Sequence, residues 1–388
     1  MDKPYELTYQ LAQQSLLIHF QHDQAGATLR ATEVKPKLDR YLLKRLKADN
    51  IATDKSWFIG DTQALDYKMR FSQVEFVTED LGLRTDFDIY YGNMGDNAQK
   101  AKGVQYRNSI TMTIICLKEP VRSAIRKYIR DFFIVTNFGR MQSKGFGSFI
   151  IREKNELTKE EIGKILKRDY GAKKCYSFKS NKKPFKHIKT VYSLMKSGIN
   201  HNGYRRSLLF EYMHTLNVGN EKAALKQQGV APAIGSHTPD KNQNDEVSYY
   251  VRALMGTGDH VDFLSSTANR RQKTNINIAN RDIDRFASTV FFKIIGDRVY
   301  YVGKRINRDI FGKNFTFEVK KADGFKPTKY SMRIPTPPEN DIFNKDFMDG
   351  FLAYCYTELN SQSPKNQGTP LSKLCQTNGL SPVRIEEV

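Results

Sequence analysis

A glycine-rich loop at residues 137–148 (NFGRMQSKGFGS) carries the clearest chemical signal in the sequence. Its three glycines are Gly139, Gly145 and Gly147. Glycine lets backbone N–H groups turn outward and lets a bulky partner approach the main chain closely. Arg140 and Lys144 add positive charge that suits a phosphate. The loop is therefore a candidate phosphate-binding site, although a plain turn that reverses the chain has the same composition.

A second signal is a strongly basic segment, residues 164–206, which holds 13 Lys or Arg and one acidic residue. Six aromatic residues are interleaved with these cations. Single-stranded RNA needs this combination, because cations contact phosphates and aromatic rings stack on exposed bases. The candidate RNA-binding residues of this segment are Lys182, Lys183, Arg205 and Arg206. A solvated basic insertion would show the same composition.

The composition of the whole chain also points to a polyanionic partner. The 388 residues carry a net charge of +20, and 39% of them are hydrophobic, which is enough for folded cores in more than one domain. No apolar run is long enough to span a bilayer, so nucleic acid is favoured over a membrane. Four scattered cysteines without a CxxC pair argue against a zinc site and fit a reducing cytoplasm.

The elements that would position the glycine loop follow the order β-α-β-β-α-β. Strands are predicted within residues 5–20, 67–77, 109–117 and 149–151. One helix is predicted to hold Pro36 in its first turn, and another is predicted to open at Pro120. This is the order of the ferredoxin-like unit, in which the glycine loop lies between the second helix and the last strand.

The first predicted helix has two distinct faces. Leucines and a tyrosine share one face at helical spacing, whereas a set of cations points elsewhere. Those cations are Lys37, Arg40, Lys44 and Lys47. A solvated helix face is the ordinary interpretation of such a set.

Three features together resemble the RAMP superfamily of CRISPR-associated RNA-binding proteins. They are the glycine-rich loop, the βαββαβ order and the residues that lead into the first helix. The loop has the form G-x5-G-x-G, and residues 143–148 (SKGFGS) are similar to the family's basic S-[KR]-G-F-G-S segment. Residues 29–35 (LRATEVK) are similar to the segment that enters the first helix in RAMP subunits. The resemblance implies that the loop backbone and the helix start approach RNA phosphates. The helix-start residues concerned are Arg30, Thr32, Lys35 and Lys37.

A second structured unit is expected from about residue 248, with a hairpin near Gly296, further strands and a terminal helix. Residues 252–256 (RALMG) and 285–290 (RFASTV) are similar to the ALxG…R-x-A-S-P-[LV] pattern of the two-unit RAMP subunit of type III-B (Cmr) effector complexes. Thr289 stands where that pattern has proline. No second glycine-rich loop of the first kind is present in the sequence.

The predicted fold class is α+β, with tandem ferredoxin-like (βαββαβ) units, of which the second is degenerate. Residues 1–155 form the first unit, and residues 156–247 form a basic insertion and linker. Residues 248–360 form the second unit, and residues 361–388 form a polar C-terminal tail.

We expect an RNA-binding subunit of a CRISPR effector ribonucleoprotein, located in the cytoplasm without membrane attachment. Its partners would be crRNA or target RNA and other effector subunits. One alternative is a metal-independent endoribonuclease that processes CRISPR repeat RNA. Another is a nucleic-acid-binding regulator that reuses the fold outside CRISPR.

Three residues are weak catalytic candidates. Imidazole can move protons to and from a ribose 2′-hydroxyl, and His19 and His22 follow the first predicted strand. The RAMP resemblance also allows Asp23 to act with a divalent metal, although a single aspartate in a turn is usually a turn former. No HExxH, paired-carboxylate or P-loop motif is found, so the sequence does not demand an enzyme, a metal or a cofactor.

Overall fold

The computed structural model describes residues 4–20, 28–81, 102–200, 204–225, 248–258, 260–267, 270–280, 283, 286–322, 331–361 and 369–388. These residues form mixed helices and antiparallel sheets, as the sequence predicts. No helix within those ranges has the length and apolar character that crossing a membrane requires.

The helices are α1 (Ala31–Ala48), α2 (Glu119–Val135), α3 (Lys159–Tyr170), α4 (Pro184–Lys196), α5 (Leu208–Thr215), α6 (Glu221–Leu225), α7 (Phe347–Asn360) and α8 (Pro370–Thr377). The strands of the first half are β1 (Glu6–Gln13), β2 (Lys68–Phe71), β3 (Phe76–Asp80), β4 (Lys102–Tyr106), β5 (Ile110–Ile115), β6 (Phe149–Ile151), β7 (Cys175–Lys179), β8 (Ile199–Asn200) and β9 (Tyr204–Arg205). Those of the second half are β10 (Gly219–Asn220), β11 (Ser248–Tyr249), β12 (His260–Thr267), β13 (Arg270–Ala279), β14 (Val290–Ile295), β15 (Arg298–Gly303), β16 (Asn314–Ala322), β17 (Ser331–Pro335) and β18 (Glu386–Glu387).

The first sheet has the strand order β2-β5-β1-β6, and all its neighbours are antiparallel. Alternating apolar residues on β1 and β5 meet the apolar stripe of α2, which includes Ile125, Phe132 and Phe133. The predicted strand at 67–77 is two strands: β2 pairs with β5, and β3 pairs with β4 in a separate hairpin. Apolar residues alternate at positions 67, 69 and 71 and then slip by one residue to positions 74 and 76. The change of partner between Phe71 and Phe76 accounts for this slip.

The second sheet has the strand order β14-β15-β7-β18 and is also antiparallel. Two of its strands come from regions that the sequence prediction places outside the second unit. β7 comes from residues 156–247, predicted as insertion and linker, and β18 comes from the predicted tail at 361–388. Both strands are short, and their partners are distant in sequence, so local pattern does not identify them. α8 of the same predicted tail buries Leu371 and Cys375.

A third sheet, β12-β13-β16-β17, follows the same antiparallel rule. β13 lies within residues 265–282, a polar and basic stretch with little apolar periodicity to indicate a strand. Residues 251–255 form a short 3₁₀ helix.

α1 starts earlier than predicted. Arg30 is its N-cap, and the Glu33 and Val34 N–H groups already donate to the Arg30 carbonyl, so Pro36 lies inside the helix rather than in its first turn. Proline has no N–H and cannot donate a helical hydrogen bond to the carbonyl four residues earlier. Because Pro36 is on the exposed side of the helix, water can bond that carbonyl instead. This start places Arg30 and Thr32 at the exposed N-terminus of the helix.

Candidate nucleic-acid interface

The glycine-rich loop is buried between the two main sheets. Gly139, Gly145 and Gly147 are all buried and have φ values of +74°, +85° and +65°, a region that other residues adopt only with strain. A Cβ on Gly147 would overlap the carbonyl of Phe138, and one on Gly139 would overlap the carbonyl of Ile18. The glycines are therefore required by the path of the chain itself.

One end of the loop covers the open edge of β14. The Phe292 N–H donates to the Ser143 carbonyl at 3.1 Å, and Asn137 Nδ2 donates to the Phe292 carbonyl at 2.9 Å. Ser148 Oγ donates to the Ile294 carbonyl at 2.6 Å. The loop thus satisfies backbone groups that an edge strand would otherwise leave unpaired. We call residues 137 and 143–148, together with β14, the junction.

Lys293 of β14 makes the hydrogen bonds that connect the two sides of the junction. Its side chain is fully buried, and Nζ donates to the Thr136 carbonyl (2.8 Å), to Asn137 Oδ1 (3.2 Å) and to the Phe149 carbonyl (3.1 Å). Burial lowers the pKa of Lys293 well below the usual lysine value. Three oxygen acceptors match the three donors of an ammonium group, so this lysine holds the end of α2 and the start of β6 against the second sheet.

Lys144 lies in the junction with a different environment. Its Nζ is buried, 2.6 Å from the centroid of the Tyr192 ring, and has no hydrogen-bond acceptor among the described residues. Burial, and secondarily Lys196, lower its pKa well below the usual value. Tyr192 donates to the Met255 carbonyl, and Lys196 Nζ donates to the Gly256 carbonyl. The glycine-rich loop and the RALMG segment, far apart in sequence, therefore meet here.

The other end of the loop is fixed to the start of α1. The Gly139 N–H donates to Glu33 Oε1 at 2.7 Å, and the Arg140 N–H donates to the Ile18 carbonyl at 2.7 Å. Lys37 Nζ donates to the same Glu33 oxygen (2.8 Å) and to the Asn137 carbonyl (3.2 Å). Burial is the main cause that lowers the pKa of Lys37. These bonds bring the half-buried Arg140 to the helix end that carries Arg30 and Thr32.

A cavity of about 220 Å³ opens beside this helix, between α1, the end of α2 and the end of α3. It is lined by Lys37, Arg40, Tyr41, Lys44, Val135, Thr136, Asp169 and Tyr170. Arg40 is exposed, and within the described part of the chain its guanidinium has no hydrogen bond or ion pair. Lys44 Nζ donates to the Asp169 carbonyl at 2.5 Å and keeps two further donors. We call Arg30, Lys37, Arg40 and Lys44 the α1 face.

The acidic group in the cavity wall is already neutralised. The Asp169 carboxylate pairs with Arg168 at 2.5 Å and with Arg45 at 4.0 Å, and it accepts a hydrogen bond from Tyr41. Its side chain is almost completely buried. The cations at the mouth of the cavity therefore determine its electrostatic character, and an anion fits it better than a cation does.

The remaining sequence candidates lie elsewhere. Lys35 pairs with Asp39 at 2.8 Å and lies over the Tyr67 ring, so it is part of the packing of α1. Lys182 and Lys183 are exposed before α4, and Arg205 and Arg206 are half-buried around β9. None of these five residues lines the cavity.

His19 is buried at 6% exposure. Burial, with a further contribution from Arg30 that exceeds the opposing effect of Glu33, lowers the pKa of His19, so the ring is neutral at pH 7. The other two catalytic candidates, His22 and Asp23, lie outside the described residues. Among the residues that are described, no group of His, Cys, Asp and Glu side chains could hold a metal ion.

Sequence reasoning missed Arg40 and Lys44 as site residues, although their spacing with Lys37 (i, i+3, i+7) already indicates one helix face. It also missed Lys293, whose signal is a lysine in the middle of the apolar run 289–295. Tyr170 and Thr136 join the cavity only through the packing of α3 and α2, which no local pattern reveals.

Comparison with known proteins identifies the class to which this architecture belongs. The N-terminal domain model of Cmr1 matches residues 4–199, and the C-terminal domain model of Cmr1 matches residues 204–375. These matches confirm the resemblance to the RAMP subunit of type III-B (Cmr) effector complexes. The chain belongs to the Cmr1 family.

Two solved structures are distantly similar to the chain. The apo crystal structure of Cmr1 from Pyrococcus furiosus is 10% identical, with 91% of this chain and 96% of that chain covered at a TM-score of 0.38. A cryo-EM structure of the type III-B Cmr-beta complex bound to cognate target RNA contains a chain that is 11% identical. That match covers 38% of this chain and 58% of the other at a TM-score of 0.25. A search of curated protein sequences found no match.

Proposed function

We propose that this protein is an RNA-binding subunit of a type III-B CRISPR effector ribonucleoprotein, and that RNA phosphates bind along the α1 face. The main supporting observation is the cavity beside α1, where the exposed Arg40 guanidinium has no hydrogen bond or ion pair with any described residue. The Cmr1 family membership supports the choice of RNA as the polyanion, with crRNA or target RNA and other effector subunits as partners.

The geometry of the α1 face suits a sugar–phosphate backbone. Lys37, Arg40 and Lys44 span two helical turns, or about 10 Å, along one side of α1. Arg30 and Arg140 extend the positive charge past the start of the helix. Contacts of this kind recognise the backbone rather than the bases, so binding would depend on charge and shape rather than sequence.

The arrangement of the two units is also a proposal. In the first sheet, the chain order β1-α1-β2-β5-α2-β6 gives the spatial order β2-β5-β1-β6. The second sheet gives the same relation from β7, α4, β14, β15, α7 and β18. We propose two ferredoxin-like units in tandem, with the second running from about residue 175 to β18 and interrupted by the third sheet.

RNA titration of the full-length chain tests the function. Arg40→Gln together with Lys44→Gln should weaken the affinity for single-stranded RNA about tenfold and lower the slope of log K against log salt by about 1 to 1.5. Lys55→Gln is the matched control, because this exposed lysine lies in the loop between α1 and β2 and does not line the cavity.

Thermal unfolding should accompany each titration, because Lys44 also bonds the Asp169 carbonyl. If the double variant binds RNA with wild-type affinity and wild-type salt dependence, the α1 face is not the RNA site. An equal loss in Lys55→Gln would show only a nonspecific effect of net charge.

A further inference from the structure

Lys304 of the second unit lies next to the cavity of the first. It follows β15, and its Nζ is 5.3 Å from the ring centroid of Tyr170 and 4.9 Å from that of Phe291. The two rings are themselves in contact, with centroids 5.0 Å apart. Tyr170 also lines the cavity, so one aromatic ring separates the α1 face from Lys304.

The surroundings of Lys304 leave its charge uncompensated. Its ammonium has no hydrogen bond or ion pair in the described residues, and burial is the sole cause that lowers its pKa, to about 8. The nearest carboxylate of α3 is Asp169, which pairs with Arg168 and Arg45. Before α7, Asp346 pairs with Lys173.

Cations also lie near Lys304. Arg305 is the next residue of the chain and is exposed. Across the Tyr170 ring lie the cations of the α1 face. Tyr170 itself stays neutral, because burial raises the pKa of its hydroxyl, which donates to the Val135 carbonyl at 2.6 Å. Positive charge therefore continues across the boundary between the units.

We propose that the phosphate-binding surface extends from the α1 face across Tyr170 to Lys304, so that a single RNA strand contacts both units at once. This inference rests on the proposed function of the α1 face and adds a second-unit contact to it. A phosphate near Lys304 supplies the negative charge that no described residue supplies through an ion pair.

A phosphate contact at Lys304 would make the RNA affinity depend on pH. In the free protein Lys304 loses its proton as the pH rises through about 8. A bound phosphate favours the charged form, so RNA binding above that pH takes up a proton. The affinity of the wild type should therefore fall between pH 7 and pH 9 by more than that of a variant whose cation does not titrate.

The experiment measures binding of a labelled single-stranded RNA of about 12 nucleotides to the full-length chain at fixed salt. Lys304→Gln should lose about three- to tenfold in affinity at pH 7. Lys304→Arg keeps the charge and should bind like the wild type at pH 7, but with a weaker decline up to pH 9. Other lysines with lowered pKa, such as Lys196, are present in both proteins and cancel in this comparison.

A stability measurement checks that Lys304 is desolvated as the structure indicates. Its folded pKa lies below the unfolded value, so between the two the unfolded chain binds more protons. The unfolding free energy of the wild type should then rise with pH above about 8 relative to Lys304→Gln. An identical pH dependence in both proteins would contradict the proton linkage.

The outcomes separate this inference from the function on which it rests. If Arg40→Gln weakens RNA binding and Lys304→Gln does not, RNA stays on the first unit and the inference fails alone. If neither variant weakens binding, both proposals fail. Loss of affinity in Lys304→Gln with rescue in Lys304→Arg supports a strand that crosses the boundary.

Discussion

The junction and the α1 face both carry basic side chains and both contact the glycine-rich loop, yet they differ in what covers those side chains. In the junction, the ammonium groups of Lys144 and Lys293 are buried: Lys144 meets the Tyr192 ring, and Lys293 meets oxygen acceptors at the end of α2 and the start of β6. On the α1 face, Arg40 meets solvent and a cavity. Whether a basic side chain makes structural contacts or stays available for binding therefore depends on whether other parts of the fold bury it.

The junction itself contains a second contrast. Lys293 has three oxygen acceptors, whereas Lys144 has none among the described residues. Burying an ammonium group is costly unless hydrogen bonds replace its hydration. Removing the charge should therefore have opposite consequences at the two positions, and this difference can be measured.

The largest expected effect is that of Gly147→Ala. The left-handed φ and the overlap of a new Cβ with the Phe138 carbonyl both oppose the substitution. We expect the unfolding free energy to fall by about 3 kcal/mol or more in chemical denaturation of the full-length chain.

Gly312→Ala is the matched control for this prediction. Gly312 has almost the same φ, +66°, but no atom lies within 4 Å of a Cβ built there. It should lose only about 1 kcal/mol, the cost of the backbone conformation alone. Equal losses at the two sites would mean that the junction tolerates the side chain and is less tightly packed than its contacts indicate.

Lys293→Met should have the next largest effect. Methionine fills a similar volume but leaves two backbone carbonyls and the Asn137 amide oxygen without their donor. We expect the unfolding free energy to fall by about 2–3 kcal/mol. An unchanged or higher value would show that the burial cost of the ammonium exceeds the gain from its three hydrogen bonds.

Local sequence patterns predict the main helices and strands of residues 1–155 better than the strands of the later residues, and particular residues explain why. The α1 and α2 patterns are long and periodic, and β5 is rich in β-branched residues, so local signals suffice. Lys293 instead bonds residues 144 to 157 positions away. β7 and β18 are likewise short strands whose pairing depends on distant partners. The loop and helix-start motifs direct attention to the start of α1, but the cover over Lys144 comes from Tyr192 of α4, which no pattern near Lys144 reveals.

Lys144→Met tests the other lysine of the junction, whose ammonium has no hydrogen-bond acceptor among the described residues. The substitution removes a buried ammonium that has no acceptor and keeps most of the packing on Tyr192. We expect the unfolding free energy to stay the same or to rise by up to about 1 kcal/mol. RNA affinity should stay within about twofold, because the side chain is enclosed. A marked loss of RNA affinity at unchanged stability would place Lys144 on the RNA surface after all.

Arg140→Gln should have the smallest effect on stability and still change binding. Arg140 uses its backbone N–H, not its side chain, to bond the Ile18 carbonyl, and that bond survives the substitution. Its side chain is half-buried, and the neighbouring Gly139 N–H is bonded to Glu33 in the first turn of α1. We therefore expect the unfolding free energy to change by less than about 0.5 kcal/mol.

Loss of one phosphate contact should weaken RNA affinity by about two- to fivefold and reduce the salt slope by about 0.7. Arg140→Lys is the control for this change, because lysine keeps the charge but not the guanidinium geometry, and it should recover most of the affinity. If Arg140→Gln instead lowered stability as much as Lys293→Met, the whole loop would belong to the junction. The boundary between the buried junction and the RNA-binding face would then lie at α1 and not within the loop.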